Sequence, residues 1–557
     1  MEQSFDISIN IDNFVVKDKK YRKSRRNKRI KLILIIFGIL VIIAVIIFVI
    51  YKILTINYGK ITCIYRTKID NENIELINSY EGYLPTFDFY LIIGEEEFKQ
   101  EYNHTFKNAG NHTVTFVFKD KLTTLEYLFR EKPALIEADL SQLEADEITS
   151  LKMVFYECEN LKKVKFDFVE ANKINNMSRL FWNCTSIESI SFNINTENVI
   201  DMSGMFGYCL SLKSIDFSNF NTKNLQYMDF MFNNCNNLPN IDLSNFNFEQ
   251  IVDMTYTFQA CEQVTKIKFP KSTYTHKLVY MTGTFRDLKE MESLDLNFLR
   301  TENVEQMKHL FRGCYKLKKV DLSKFDTSKV WELDGMFLLC YALKEITYLS
   351  HLNFATVTSF DTFFKGCRSL EELDLSFINA PIAIDMTEMF MDCSKLKRII
   401  IPPKLYGISK LNSTFENCYE LEYVDLSGFK ENEDILYAHK TFKNCKSLKN
   451  ITFPKIEADN LKTTEEMFYG CIKLEHIDMG DFQTIYIKKM DKMFYDCSSL
   501  VFLNISNFNT HYLKTANDTF SGVTSPIRVI INDSVGNGVL KEQLKNLNRI
   551  NMSEFSY

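Results

Sequence analysis

The chain has 557 residues, too many for one ordinary core, so it is either several domains or an array of repeats. It is 46% apolar and 25% charged, with only 18 Gly and 9 Pro, which excludes a disordered, linker-like chain. Residues 1–52 hold 11 Lys/Arg against 4 Asp/Glu, and residues 53–557 hold 55 against 68, an acidic body unsuited to nucleic-acid phosphates.

The first element is basic. Residues 17–31 read KDKKYRKSRRNKRIK, with ten Lys or Arg. Residues 32–51, LILIIFGILVIIAVIIFVIY, carry no charge and suffice as a helix to cross about 30 Å of hydrocarbon. A cleaved signal peptide has a shorter apolar core of about 7–15 residues and a small-residue cleavage site; neither is found. The expectation is a single-pass signal-anchor: a cytoplasmic tail at 1–31, a membrane helix at 32–52, and everything after it outside the cell. The basic run would rest on anionic head groups. Residues 53–118 contain TFDFYLIIG and HTVTFVFKD, both strand-like, and predict a small β-rich cap with Cys63 in its core or linking two chains.

A repeat follows over 119–525. F-x-x-C recurs from Cys158 to Cys497 at steps of 25 to 27 residues, with one gap of 53 between Cys261 and Cys314. The gap holds a unit with Phe285 and, in the cysteine slot, Leu288. End units keep Phe129 and Phe520, with Lys132 and Val523 in that slot, giving about 16 units. Met202, Met205, Phe206, Cys209 and Leu212 fall on one face of a helix, while Ile215 and Phe217 alternate with Ser214, Asp216 and Ser218 as a short strand. A strand and a short helix repeating near 26 residues match the period of leucine-rich repeats, not the longer tetratricopeptide or ankyrin units. The fold class expected is α/β: a leucine-rich-repeat solenoid with one parallel strand and one helix per coil. Strands about 4.8 Å apart would line an inner arc on the order of 75 Å. After Phe520, SPIRVIIND and LKEQLKNLN predict a closing strand and helix, a C-terminal cap at 526–557.

The cysteine spacing fits no zinc site, and the thiols read as small buried residues rather than a disulfide ladder. The phenylalanine column reads as core, and pairs such as Asp326-Thr327 as turn chemistry. Asp139, Asp216, Asp242, Asp295, Asp321, Asp374, Asp425 and Asp478 share one outward strand slot, a candidate recognition column on the concave face. Carboxylates on adjacent coils would raise each other's proton affinity or invite a cation. His104 and His112 lie near each other without a nucleophile motif, and no phosphate-binding loop or dinucleotide fingerprint occurs. No catalytic residue, cofactor or metal is therefore expected. Breaks in the D-L-S pattern at Pro270, Pro402 and Pro403 are candidate exposed patches.

The string M-x-x-M-F-x-x-C-x-x-L-x-x-L-D-L-S-x-F-D-T-S-x-V, nearly complete in FRGCYKLKKVDLSKFDTSKV from Phe311 to Val330, resembles the repeat of BspA-like leucine-rich surface proteins. The resemblance spans about three quarters of the chain. It implies a nonenzymatic cell-surface protein, often associated with adhesion or host contact, and identifies no ligand; the reading adopted is noncovalent binding of a protein or glycan through the curved face or the loops at its rim. A structural surface coat that self-associates is the alternative.

Overall fold

The computed structural model describes residues 11–54, 57–79, 87–168, 170–402, 405, 407–429, 435–453, 456–531, 538–545 and 550–552. Pro403 and parts of the expected tail and C-terminal cap lie outside them. The first element is one helix, α1 (Ile11–Leu54), which carries the basic run and the apolar run without a break. Between Lys19 and Ile50 it is long and apolar enough to cross a membrane, and none of its apolar window is covered by protein.

The chain then enters a β-rich cap: β1 (Gly59–Thr67), β2 (Glu72–Glu75), β3 (Phe89–Ile93), β4 (Glu96–Lys99), β5 (Asn103–Phe106) and β6 (Gly110–Phe118). Next come β7 (Leu135–Leu143) and β8 (Lys163–Lys165), and the main sheet runs β4-β3-β6-β1-β7-β8. β7 is the joint. One edge pairs antiparallel with β1 and the other pairs parallel with β8, so the cap sheet continues into the repeats and covers their first edge. Cys63 is buried in β1.

Most coils contribute a strand of three residues, such as Ser214–Asp216 or Lys319–Asp321, and where neighbouring strands pair they do so in parallel. The expected helix is absent. Residues 202–212 form successive turns instead. Met205, Gly207, Cys209 and Leu212 donate N–H to the carbonyls of Met202, Gly204, Phe206 and Cys209, at 3.0–3.2 Å. The intervening Met202, Gly204, Phe206 and Tyr208 donate to Tyr227, Asp229, Met231 and Asn233 of the next coil, at 2.7–2.9 Å. Two left-handed residues per coil permit this, here Gly204 at φ 61° and Tyr208 at φ 59°, each third in its turn as in type II turns. A helix would spend every N–H on its own segment; these turns send alternate N–H groups across the seam. A left-handed non-glycine residue costs about 1–2 kcal/mol. Bonds across the seam, at about 1 kcal/mol each, and ring burial, at roughly 1.5–3 kcal/mol, offset it.

The core is a stack. Sixteen phenylalanines from Phe129 to Phe520 lie ring on ring, with centroids 5.3–6.1 Å apart and planes within 18° of parallel. All thirteen repeat cysteines donate Sγ–H to the carbonyl of the phenylalanine one coil back, at 2.9–3.3 Å. All fourteen cysteines of the chain are buried and free, so there is no disulfide ladder. Where Thr257, Thr284, Thr414, Thr441 and Thr519 stand just before the phenylalanine, the hydroxyl likewise bonds a carbonyl one coil back.

The strands do not form one unbroken ribbon. From Ser189 to Thr347 they occur in pairs, and from Glu372 onward they join an eight-stranded sheet ending at Ile550–Met552, after α2 (Gly538–Lys545). Leu243, Leu322, Leu375 and Leu426 donate N–H across their seams to Lys268, Thr347, Ile400 and Thr452. Seams after Phe166 and Phe217 are unpaired, and the one after Phe453 touches at a single position. There the ring stands edge-on against the phenylalanine of the next coil, 6.0–6.2 Å away. The seam after Phe192 is paired nonetheless. Continuity comes from a second line of parallel bridges, from Ser150 to Glu332 and from Ser359 to Thr515.

Truncating Phe311 to Ala opens a gap in the ring stack and should cost about 3–5 kcal/mol, read by denaturant unfolding. A loss below about 1 kcal/mol would deny the stack its role. Burial pushes the thiols of Cys158, Cys261, Cys314, Cys393 and Cys497 from 9.0 up to about 12. These acids hold their protons longer when folded, so their contribution is complete below pH 9. It falls above pH 9 by about 1.4 kcal/mol per pH unit per thiol until the folded thiols titrate. Circular dichroism under reductant should show cooperative loss of structure above pH 9; a signal flat to pH 11 would contradict it.

Candidate functional site

Three-residue strands expose their first and third side chains and bury the middle one. The aspartate column holds the third place at Asp216, Asp242, Asp321, Asp374, Asp425 and Asp478; Asp295 lies in a coil without a strand. In each of the seven, Oδ1 accepts the backbone N–H two residues on, at 2.9–3.1 Å. The aspartate closes the turn that leaves the strand. Asp139 does the same for Ser141, and Asn504 for Ser506.

Strand pairing does not set these carboxylates side by side. The paired partners are Ser191 for Asp216, Lys268 for Asp242, Thr347 for Asp321, Ile400 for Asp374, Thr452 for Asp425 and Asn504 for Asp478. The expected rise in proton affinity is reversed at Asp216 and Asp242, on successive coils. The backbone N–H of Ser218 and its side chain hold Asp216 below the usual carboxylate range. The Lys268 ammonium, 2.5 Å away, and Ser244 hold Asp242 at about 2. Fixed donors outweigh repulsion between exposed charges. Among the described residues, no group of three His, Cys, Asp or Glu is placed to hold a metal ion.

The first place of the strand is different. It reads Lys163, Ser189, Ser214, Asn240 and Lys266, then Lys319, Glu345, Glu372, Arg398, Tyr423, Asn450, His476 and Phe502; Lys, Ser, Asn and Glu recur, but no one type holds the place. Lys319 pairs with Glu345 at 2.7 Å, and Arg398 lies 3.9 Å from Glu372. This column was hidden in the sequence because attention falls on what repeats; its signal is that it does not.

The column opens into a cleft at one seam. Strands Arg398–Ile400 and Tyr423–Asp425 meet only at Arg398 and Tyr423, just before Pro402 breaks the pattern. A cavity of about 400 Å³ lies there, lined by residues that include Arg398, Ile399, Ile400, Tyr423, Asp425 and Ser427. Ile400 and Tyr423 are 49% and 45% exposed, as are several other large side chains on the surface of the coils, among them Ile384 and Tyr486. The tyrosine hydroxyl meets Thr452 Oγ1 at 2.9 Å, which fixes the ring. The cleft offers a guanidinium fork, an aromatic face and a carboxylate in one place. Pro270, the other pattern break, is buried.

Outside the strand face, the second line of bridges carries half-buried acids that the sequence reading passed over. Burial, then Asp334, Asp385 and Glu388, push Asp361 up to about 6. Lys410 answers Asp385 at 2.7 Å. In the cap, His112 stacks on Phe106 at 4.0 Å and His104 bonds Glu101 at 2.9 Å, so both histidines are engaged in packing.

No curated protein matches the chain. Residues 149–269 and 279–401 match the family model described as Mycoplasma protein of unknown function, DUF285. Residues 93–203, 359–501 and 435–543 match the model described as BspA type leucine rich repeat region, built of six copies. These last matches cover more than half of the sequence, and they fall mostly on the coils and the turn ladder described above, reaching into the cap at one end and α2 at the other. The chain belongs to the BspA-type leucine-rich-repeat family.

Proposed function

We propose that this is a membrane-anchored surface protein that binds a protein or glycan noncovalently through its strand face, without catalysis. The observation that carries this reading is the contrast between columns. The interior repeats one residue type over sixteen coils, while the exposed first strand place holds eight residue types along the array and opens at Arg398 and Tyr423. A surface freed from the packing rule can be shaped for a partner. An exposed aromatic beside an arginine is the composition of an interface anchor. The aspartates Asp321, Asp374 and Asp425 frame that face, each spending one oxygen on its turn. Helix α1 serves as the anchor, and its basic end places the N-terminus in the cytosol and the coils outside.

Two measurements test the reading. Protease added to intact cells should remove the coils and spare a fragment containing α1; full protection would put the repeats inside. The double variant Arg398→Ala/Tyr423→Ala should keep the wild-type unfolding curve. It should lower adhesion of expressing cells to immobilised matrix proteins and glycans at least about tenfold. Adhesion unchanged in that variant would remove the strand-face assignment.

A further inference from the structure

A second, larger cavity lies where the cap meets the first coils. It holds about 860 Å³, within the range of ligand sites, and is lined by the distal end of β1, by β2, by the segment leading into β7, and by Asn160 and Lys162. Its lining combines apolar surface with charged side chains, among them Arg66, Lys68, Glu72 and Glu75. Lys132 stands in the slot where later coils carry cysteine. Its side chain is 4% exposed, with Nζ donating to the Arg130 carbonyl at 2.7 Å and pairing with Glu75 at 3.2 Å. A buried ammonium of this kind is held only by fixed partners.

Two of the three acids lining the cavity pair with cations, and the third, Glu72, keeps its charge but is outnumbered by the cations at the rim. Glu75 bonds Ser79 and Lys132, Glu72 takes the backbone N–H groups of Lys68 and Ile69, and Glu131 pairs with Arg130. The cations Arg66, Lys68 and Lys162 are exposed at its rim, and among the described residues none of them is in an ion pair. The site therefore presents unanswered positive charge on an otherwise acidic body.

We propose that this cavity receives an acidic, extended peptide segment of a partner protein. Charge complementarity calls for carboxylates. No aromatic side chain lines the cavity, so a sugar would find no ring to stack on. Strand β2 has one hydrogen-bonded neighbour, β5, among the described residues, and its free edge offers main-chain groups to an extended chain. A lipid head group fits less well. Arg66 lies roughly 23 Å along β1 from Gly59, the first strand residue after α1. This site is separate from the strand face and stands whether or not that face binds.

The test is fluorescence anisotropy with the full chain in phosphatidylcholine nanodiscs and fluorescein-labelled hexaglutamate as probe. The basic N-terminal run also attracts the probe, so the readout is the difference between wild type and variants that leave this run intact. Combined Arg66→Ala, Lys68→Ala and Lys162→Ala should weaken binding about tenfold. Ala134→Trp, which keeps every charge but fills the cavity, should do the same, with circular dichroism unchanged in both. Equal binding by wild type and both variants would overturn the proposal. So would loss in the charge variant alone, which would mean simple surface attraction. Displacement of the probe by phosphatidylserine vesicles but not by unlabelled hexaglutamate would assign the cations to lipid and overturn it too. Arg398→Ala/Tyr423→Ala should leave the isotherm unmoved, which separates this result from that of the strand face.

Discussion

Everything in this molecule hangs on contact between a coil and the next. One coil is about 26 residues with no helix and a strand of three residues, and it has no interior of its own. Its ring, its thiol and half of its turn N–H groups find partners only one coil away. Stability is therefore a sum of seam energies, and cooperativity runs along the stack rather than across a globule. The phenylalanine is favoured because a flat ring presents two equal faces, one to each neighbour, and each face covers apolar area. A leucine column could bury similar area but would not fix the rotation of one coil on the next.

The cysteine follows from the same geometry. The carbonyl of each column phenylalanine already accepts the N–H of the cysteine in its own coil, and its second lone pair faces the next coil. A residue there must be small and largely apolar, and it gains by offering a weak donor. Cysteine satisfies all three conditions. Leu288 shows that the apolar part suffices: it is fully buried in the same slot and the stack passes it without a gap. The thiols are thus packing groups, shielded from solvent by the column they support.

Much of this was legible in the residues. The period, the buried set Met202, Phe206, Cys209 and Leu212, the short strand around Ile215, and the leucine-rich-repeat class all followed from spacing. The error was the helix. Steps of three and four place side chains on one side of a helix, but two consecutive three-residue turns do the same. Only backbone sign separates them, and Phe230, Tyr256 or Lys440 in the left-handed region announce nothing by their type. The turn-closing role of Asp321 was likewise invisible as a column, because a repeated carboxylate looks the same whether it faces a ligand or its own backbone. The cleft at Arg398 and Tyr423 was hinted at by Pro402. The cap cavity was not, because it needs β1, β2 and the first coil in one place.

A stack of near-identical coils has one intrinsic weakness: a coil could be skipped and its neighbours would still fit. The interior cannot prevent this, since Phe364 packs on Phe390 as readily as on Phe415 by ring chemistry alone. The surface can. Four residues after the cysteine slot the chain reads Glu371, Lys397, Glu422, Lys449 and Glu475 on successive coils, and Lys397–Glu371 and Lys449–Glu422 pair at 3.0 Å. Earlier coils carry the same pairing at Glu188–Lys213 and Glu292–Lys318, although Pro239, Thr265 and the neighbouring Lys318 and Lys344 interrupt the alternation. Each exposed pair adds little stability, on the order of 0–1 kcal/mol. Omitting the coil of Lys397, however, sets Glu371 against Glu422, a like-charge contact at the new seam, while the later pairs stay matched. Alternating charge thus discriminates against the slip that the apolar core would tolerate. In this fold the core supplies the energy of stacking, and the exposed charges supply the order in which the coils stack.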